Sequence, residues 1–115
     1  MGILDRIKTV YATEIVAVTY DGKSVTNFEQ GDAFWIYAID KDKVVRMQIL
    51  SLYSRDTSAV IEQLRRIRVD VIISKNFGPK AMNELKNAGY KLVTFDGGAK
   101  ASVKAYATGK IKAIG

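Results

Sequence analysis

Residues 69–89 read VDVIISKNFGPKAMNELKNAG and contain a strand, a turn and an amphipathic helix in direct succession. The opening run VDVII is apolar and rich in β-branched residues, which is typical of a strand buried on both faces of a parallel sheet. Gly78 and Pro79 follow Asn76 and Phe77. Proline suits the first position of a helix, because the N–H that it lacks would have no partner within the helix there. The segment therefore predicts one unit of a parallel α/β sheet, with amides at the helix start that face an opening suited to an anion.

The flanking sequence predicts four more strands. Three precede residue 69 and one follows residue 89, and each is a short apolar run that ends at a turn. They are Glu14–Tyr20, Ala33–Ile39, Lys43–Leu50 and Tyr90–Phe95. Because only Asp40, Lys41 and Asp42 separate the second strand from the third, these two strands predict an antiparallel hairpin.

Apolar residues at helical spacing predict three helices after the third strand. Asp56 or Thr57 caps the first of them. Gly89 ends the second helix and Gly109 the third, since glycine adopts the left-handed conformation that closes a helix. A further short helix, Ile3–Val10, is predicted ahead of the first strand. The helix that Asp56 or Thr57 caps has an apolar face that contains Val60, Ile61, Leu64 and Ile67.

The order of these elements predicts an α/β fold with a five-stranded mixed sheet. A three-strand meander followed by right-handed crossovers gives the strand order 3-2-1-4-5, with strand 2 antiparallel to the others. The chain then leaves strands 1 and 4 toward opposite edges, so a crevice opens between their carboxyl ends. Three loops are predicted to meet at this crevice: Asp21–Asp32, Lys75–Gly78 and Asp96–Gly98.

Length and composition predict a single domain, residues 1–115, in which 48% of the residues are hydrophobic and can form a core. No apolar segment reaches the roughly 20 residues that span a bilayer. The N-terminus also lacks the long apolar run of a signal peptide. We therefore expect a cytoplasmic protein with no membrane partner.

The sequence contains no cysteine and no histidine. This composition excludes a disulfide, a thiolate metal site, a cysteine nucleophile and a histidine-based triad. Asp21, Glu29 and Asp32 invite comparison with the carboxylates that hold two metal ions in ribonuclease H enzymes. They lie in or beside a loop rather than within the strands, so the sequence predicts neither catalytic residues nor a metal site.

The formal net charge of +6 favours an anionic partner. The densest basic group, at 65–68, falls at a helix end, where cations suit the helix dipole. Phe34, Trp35 and Tyr37 alternate along a predicted strand, which favours packing on both faces over stacking of nucleic-acid bases. Nucleic acid is therefore the less favoured anion. One alternative stays open, a protein or nucleic-acid interaction module that uses its basic surface.

Two segments carry a resemblance to a known family. The first is Thr26-Asn27-Phe28 with Ala33 and Phe34, which is similar to the family pattern S-x-H-F-G-x-A-x-x-F. The second is VDVIISKNFGPKAMNELKNAGYKLV, which is similar to the family's succession of a strand, a helix that starts at Gly-Pro, and an Ala-Gly turn. Both patterns belong to the dinitrogenase iron-molybdenum cofactor biosynthesis family, the NifX type of nitrogenase accessory-factor domain, also found at the NifB C-terminus. The resemblance begins near residue 14 and implies a ribonuclease H-like three-layer fold.

The resemblance also implies a noncatalytic carrier of iron-molybdenum cofactor or an iron-sulfur precursor. The family often has histidine where this chain has Asn27, and glycine where it has Glu29. Iron in a cluster prefers thiolate or imidazole ligands, so a cluster here would be held as an anion by charge and hydrogen bonds. The cofactor is thus implied by the resemblance alone, and a protein partner or a second copy of the chain is a further expected partner.

The three loops supply the candidate ligand-binding residues. Lys75 and Lys80 would provide charge, and the amides near Gly78 and Gly98 would donate hydrogen bonds. A simpler alternative stays open for both glycines: Gly78 marks a helix start, Gly98 belongs to a tight turn, and neither binds a ligand. The predicted set is Asn27, Phe28, Glu29, Ser74, Lys75, Asn76, Phe77, Gly78, Lys80, Gly97 and Gly98.

Overall fold

A computed structural model describes residues 14–41 and 43–114. The strands are β1 (Glu14–Tyr20), β2 (Ala33–Asp40), β3 (Lys43–Ser51), β4 (Val71–Ser74) and β5 (Lys91–Thr94). The helices are α1 (Thr57–Arg66), α2 (Pro79–Asn87) and α3 (Ala99–Ala107), and a short 3₁₀ turn spans Phe28–Gln30. The predicted helix Ile3–Val10 lies outside the described residues.

The five strands form one sheet in the order β3-β2-β1-β4-β5, which confirms the predicted order. β2 runs antiparallel to β1 and to β3, whereas β4 runs parallel to both β1 and β5. Strand 2 is therefore antiparallel to the other four, as predicted. The carboxyl ends of β1, β4 and β5 consequently lie at one edge of the sheet.

The predicted boundaries differ from the structure mainly at the start of β4, which begins at Val71 rather than Val69. The Val69 N–H bonds to the Leu64 carbonyl at the end of α1, so Val69 still belongs to the helix-to-strand connection. Asp70 contacts β1 through both its backbone and its side chain, because its N–H donates to the Ile15 carbonyl at 2.8 Å and its carboxylate accepts the Ile15 N–H at 2.9 Å. The cap position before α1 is Asp56, although its side chain makes no capping hydrogen bond.

Helices cover both faces of the sheet, which gives the three layers of the ribonuclease H-like arrangement. One core cluster joins Ile15 and Ala17 of β1 to the buried residues of α1 and α2. A second joins Val16 and Val18 of β1 to the buried face of α3. The alternation along β1 places successive side chains in opposite layers, as the period of a strand requires.

The aromatic residues of β2 follow the same alternation. Phe34 packs in the layer of α1 and α2, while Trp35 and Tyr37 lie on the α3 side. The predicted packing of this run on both faces is therefore confirmed. Gly89 and Gly109, which follow α2 and α3, have φ values of +95° and +79°, so both take the left-handed conformation expected at a helix end.

Across residues 14–41 and 43–114, every helix is too short or too polar to span a lipid bilayer.

Candidate functional site

Three loops meet at the carboxyl ends of β1, β4 and β5: loop 1 (residues 21–32), loop 2 (75–78) and loop 3 (96–98). Backbone hydrogen bonds join them directly. The Val25 N–H donates to the Gly97 carbonyl at 2.8 Å, which ties loop 1 to loop 3. The Lys75 N–H donates to the Thr26 carbonyl at 2.9 Å, which ties loop 2 to loop 1. The loops that the topology predicted to converge are therefore in contact.

Aromatic packing fills the space between loops 1 and 2. Phe28 and Phe77 are buried, and their ring centroids lie 5.8 Å apart. The Phe28 N–H also donates to the Asn76 carbonyl at 2.9 Å. At the surface, the Asn76 side-chain amide donates to Asn27 Oδ1 at 3.1 Å. These four predicted residues come together in the structure, with the two aromatic rings below and the two amides at the surface.

Ser74, at the end of β4, lies beneath this surface. Its side chain is fully buried, and its hydroxyl shares a hydrogen bond of 2.6 Å with the hydroxyl of Thr19 on β1. The pair bridges the two parallel strands at the point where the chain enters the loops. The Ser74 hydroxyl thus points to Thr19, a residue that the sequence analysis did not select.

The start of α2 already holds a negative charge. The Gly78 N–H donates to Glu29 Oε2 at 2.6 Å, so a carboxylate from loop 1 occupies the amide that the sequence predicted for a ligand. A negative group at this position is stabilised by the N-terminal end of the helix dipole. Glu29 and Gly78, both in the predicted set, are therefore partners of each other.

Lys75 and Lys80 are exposed, and neither forms an ion pair with another described residue. Lys80 lines a cavity of about 460 Å³ that also includes Glu29 and Gly78. Arg55 adds a second cation to this lining, but Asp56 and Glu84 add two more carboxylates. The cavity beside α2 consequently has mixed charge.

Loop 3 places the remaining two predicted residues at the start of α3. Gly97 has a φ of +148°, and a side chain there would run into the ring of Phe95. Gly98 is the N-cap residue of α3 and provides no side-chain cap. It lines a different cavity, on the α3 side of the sheet. The predicted set is therefore divided between the two faces.

Loop 1 is held in shape by Asp21. Its carboxylate accepts the backbone N–H groups of Lys23 and Ser24 at 2.8 and 3.0 Å. These hydrogen bonds, that of Ser24 first, lower the pKa of Asp21 below its ordinary value. The carboxylate is engaged in a turn of the backbone, and no group of three Asp and Glu side chains suited to a metal ion occurs among the described residues.

Apart from Gly98, the residues that line the cavity on the α3 side are not in the set predicted from the sequence. Among them are Tyr20 at the end of β1, Arg46 on β3 and Lys100 in the first turn of α3. The predicted hairpin brings β2 and β3 together, but the pairing of Tyr37 with Arg46 depends on the register, because a turn of three residues at 40–42 would place Tyr37 opposite Val45 instead. The contribution of α3 could not be seen, since it depends on where that helix packs against the sheet.

The comparisons with known proteins agree with this architecture. A family model described as dinitrogenase iron-molybdenum cofactor matches residues 13–109. The comparison with curated proteins finds no match.

Solved structures with low sequence identity share the fold. A candidate dinitrogenase from Methanocaldococcus jannaschii aligns with a TM-score of 0.70 and 20% identity, over 88% of this chain and 94% of the other. A candidate NifB protein from Thermotoga gives a TM-score of 0.64 and 22% identity, over 87% and 92%. The apo form of the orange protein from Desulfovibrio gigas gives 0.68 and 18%, over 88% and 92%. Because these sequence identities are low, the structural similarity establishes the shared fold alone.

Proposed function

The chain belongs to the dinitrogenase iron-molybdenum cofactor family, and from this membership we propose that it is a small noncatalytic protein that carries an anionic metal cluster, a cluster precursor or another small anion. The cluster is cargo in this proposal. The family membership supports a role as an accessory binding protein. The observation that carries the proposed position is the direct contact between the three loops at the carboxyl ends of β1, β4 and β5.

The proposed binding surface uses the exposed polar groups of these loops. Lys75 and Lys80 supply positive charge, since neither is neutralised by a described carboxylate. Asn27 and Asn76, already hydrogen-bonded to each other, supply amide groups beside them. With no cysteine or histidine in the sequence, the cargo is held by charge-assisted hydrogen bonds rather than by direct thiolate or imidazole ligation.

The other predicted residues of β4 and of loops 1 and 2 either hold this surface in place or compete with an anion for it. Phe28, Phe77 and Ser74 are buried and hold the loops in place. Glu29 competes with an incoming anion for the Gly78 amide, because its carboxylate already accepts that N–H. Binding at the start of α2 therefore requires the Glu29 side chain to move away.

The proposal is tested by anaerobic titration of the purified protein with preformed iron-sulfur and iron-molybdenum clusters. The readouts are visible absorption and the iron retained after gel filtration. We expect stoichiometric retention by the native chain and strong loss of retention in Lys75→Glu, because the substitution replaces an attractive charge with a repulsive one.

Lys112→Glu is the matched control. It makes the same change of charge at an exposed residue beside Glu14 and Ile39, at the opposite end of the sheet. Retention lost in Lys75→Glu and kept in Lys112→Glu supports the proposed surface. Equal loss in both variants would indicate attraction to the net charge of the protein, and unchanged retention in Lys75→Glu would contradict the role of this lysine.

The alternative of a nucleic-acid interaction module is distinguished by a salt series with short DNA and RNA. Binding through phosphate contacts weakens steeply as salt increases. The net charge of +6 is the observation that keeps this alternative in view. Tight binding of nucleic acid together with no cluster retention would favour the alternative over the carrier.

A further inference from the structure

A cavity of about 430 Å³ lies between the start of α3 and the neighbouring face of β1, β2 and β3. Its charged lining residues are all cations, Lys23 of loop 1, Arg46 of β3 and Lys100 of α3. None of the three forms an ion pair with a residue in the described ranges. Asp21 lies near Lys23 in sequence, but its carboxylate is bound to the backbone of its own turn and does not line the cavity.

This distribution of charge distinguishes the cavity from others on the described part of the molecule. Three further cavities, of about 470, 370 and 460 Å³, each contain at least one carboxylate in their lining. Lysine and arginine side chains can donate hydrogen bonds but cannot accept them. The α3-side cavity thus favours a ligand that is rich in acceptors and carries negative charge.

The hydroxyl of Tyr37 adds a further donor. Tyr37 is only 2% exposed, and it lines the cavity. The structure gives its hydroxyl no hydrogen-bond partner among the described residues, although Arg46 is close enough to act on its charge. No buried side-chain oxygen or nitrogen is left unpaired among the described residues, so this hydroxyl is open to the cavity and can donate to a polar ligand atom there.

The start of α3 faces the same cavity through Gly98 and Ala99. The first N–H groups of a helix have no partner within the helix, and here no side chain of the described residues caps them. The start of α2 differs, because Glu29 occupies the Gly78 amide there. Of these two helix starts, only that of α3 combines free amides with a wholly cationic cavity.

Aromatic rings form the apolar part of the cavity wall. Tyr20 and Trp35 pack edge to face with their centroids 4.6 Å apart. The guanidinium of Arg46 lies over the Trp35 ring, 4.5 Å from its centroid. Val44 extends the apolar surface beyond them. Such a wall suits the organic part of a ligand whose charged end meets the lysines.

We propose that this cavity binds a small organic phosphate ester. The phosphate accepts hydrogen bonds from Lys23, Lys100 and the start of α3, and the organic group lies against Trp35 and Tyr20. The doubly charged phosphate matches the surplus of cations, and the apolar wall gives an ester an advantage over free phosphate. The site lies on the opposite face of the sheet from α2 and Lys80, so it does not depend on the proposed function above.

The test uses Trp35, the only tryptophan in the chain, as an internal probe. The native protein is titrated with phenyl phosphate, inorganic phosphate and phenol, and tryptophan fluorescence is recorded. Calorimetry on the same samples gives a readout that does not depend on Trp35. We expect saturable binding of phenyl phosphate, binding of inorganic phosphate weaker by about tenfold, and no saturable binding of phenol.

Variants assign the binding to the cavity. Lys23→Gln with Lys100→Gln is expected to weaken phenyl phosphate binding by at least about tenfold, since two charge-assisted contacts are lost. Tyr37→Phe is expected to weaken it less and to leave stability unchanged, because the hydroxyl has no partner to lose. Lys112→Gln and Lys75→Glu are controls that should bind phenyl phosphate as the native chain does.

Three results would overturn the proposal: no binding of phenyl phosphate by either method, equal binding of phenol, or native affinity in the Lys23→Gln, Lys100→Gln double variant. The cluster titration separates this site from the carrier proposal. Loss of phenyl phosphate binding with full cluster retention in the double variant would show two independent sites. Loss of both in Lys75→Glu would contradict the separate cavity.

Discussion

Ser74 shows that a side chain predicted to bind a ligand can instead stabilise the fold, here through its contact with Thr19. Their hydroxyls lie 2.6 Å apart, both residues are fully buried, and they join the ends of β1 and β4. A buried hydroxyl that loses its partner keeps its desolvation cost without compensation. The pair therefore stabilises the sheet directly below the loops, and Ser74 has no free hydroxyl to offer a ligand.

We predict that Thr19→Val, which keeps the shape of the side chain, lowers the free energy of unfolding by about 1–3 kcal/mol because it leaves Ser74 unpaired. Urea denaturation of the single variants and of Thr19→Val with Ser74→Ala measures this. The double variant should lose less than the sum of the single losses. Additive losses would mean that the two hydroxyls do not interact.

Gly31 gives a second prediction at this scale. A Cβ at Gly31 would overlap the methyl group of Thr19, which is fully buried and has little freedom to move. Gly31→Ala should therefore lower the free energy of unfolding by about 1–3 kcal/mol through overpacking. Gly98→Ala is the control, because a Cβ there meets no atom within 4 Å. Similar unfolding midpoints for the two variants would contradict the steric explanation.

At the scale of the elements, α2 and α3 begin in different ways. Both start after a glycine, and neither receives a side-chain cap from its own N-cap residue. Glu29, in loop 1, lies 49 residues from Gly78 in sequence, and its carboxylate accepts the Gly78 N–H. This negative charge compensates the positive end of the α2 helix dipole. Among the described residues, no carboxylate lines the cavity at the start of α3, which faces cationic side chains. The loop-1 carboxylate therefore makes α2 the less receptive of the two helices toward anions.

Glu29→Gln tests this difference. The substitution keeps the size of the side chain but removes its charge, so we expect the free energy of unfolding to fall by about 0.3–1 kcal/mol as the interaction with the helix dipole weakens. Anions should gain affinity for the start of α2, because the competing carboxylate is gone. Thermal denaturation and the cluster titration measure the two effects.

The control for Glu29→Gln is Glu62→Gln, at an exposed residue of α1 that pairs with Arg66 one helical turn away. It removes the same charge without touching α2. If both variants bound the cluster more tightly by the same factor, the gain would reflect net charge and the competition by Glu29 would be disproved.

For the molecule as a whole, three buried or partly buried tyrosines predict how stability depends on pH. Burial raises the pKa of Tyr37, Tyr90 and Tyr106 above the ordinary value of 10.0, and for Tyr106 its hydrogen bond to Glu14 adds to the effect. Each neutral phenol binds its proton more tightly in the folded chain than in the unfolded one. The associated stability is fully present below about pH 10 and is lost as pH rises toward the folded pKa values.

We therefore predict that the unfolding midpoint in urea stays level up to about pH 10 and falls above it. Tyr106→Phe should reduce the steepness of this fall, since one of the three phenols is removed. Tyr53→Phe, at a side chain that is 85% exposed, should not change it. A midpoint that rises with pH above this point would contradict the assignment of the shifts to burial.

The sequence determined the architecture because its evidence is local and periodic. Alternating and continuous apolar runs identify the strands, and Gly78-Pro79 and Gly89 mark the limits of α2. The rules for connections reduce the plausible strand orders to a few, and a three-strand meander then gives 3-2-1-4-5, the order observed. The meeting of the three loops follows from this order, since parallel strands end at the same edge. The motifs in loop 1 and in residues 69–93 also indicated the family.

The chemistry of the loop surface and of the α3-side cavity was settled only by tertiary structure. Ser74 pairs with Thr19, and Glu29 occupies the Gly78 amide, across separations of 55 and 49 residues. Nothing in the local sequence specifies such contacts, because they depend on side-chain distances that arise when the loops pack together. The cationic cavity likewise requires both the β2–β3 register that places Tyr37 beside Arg46 and the docking of α3 over it.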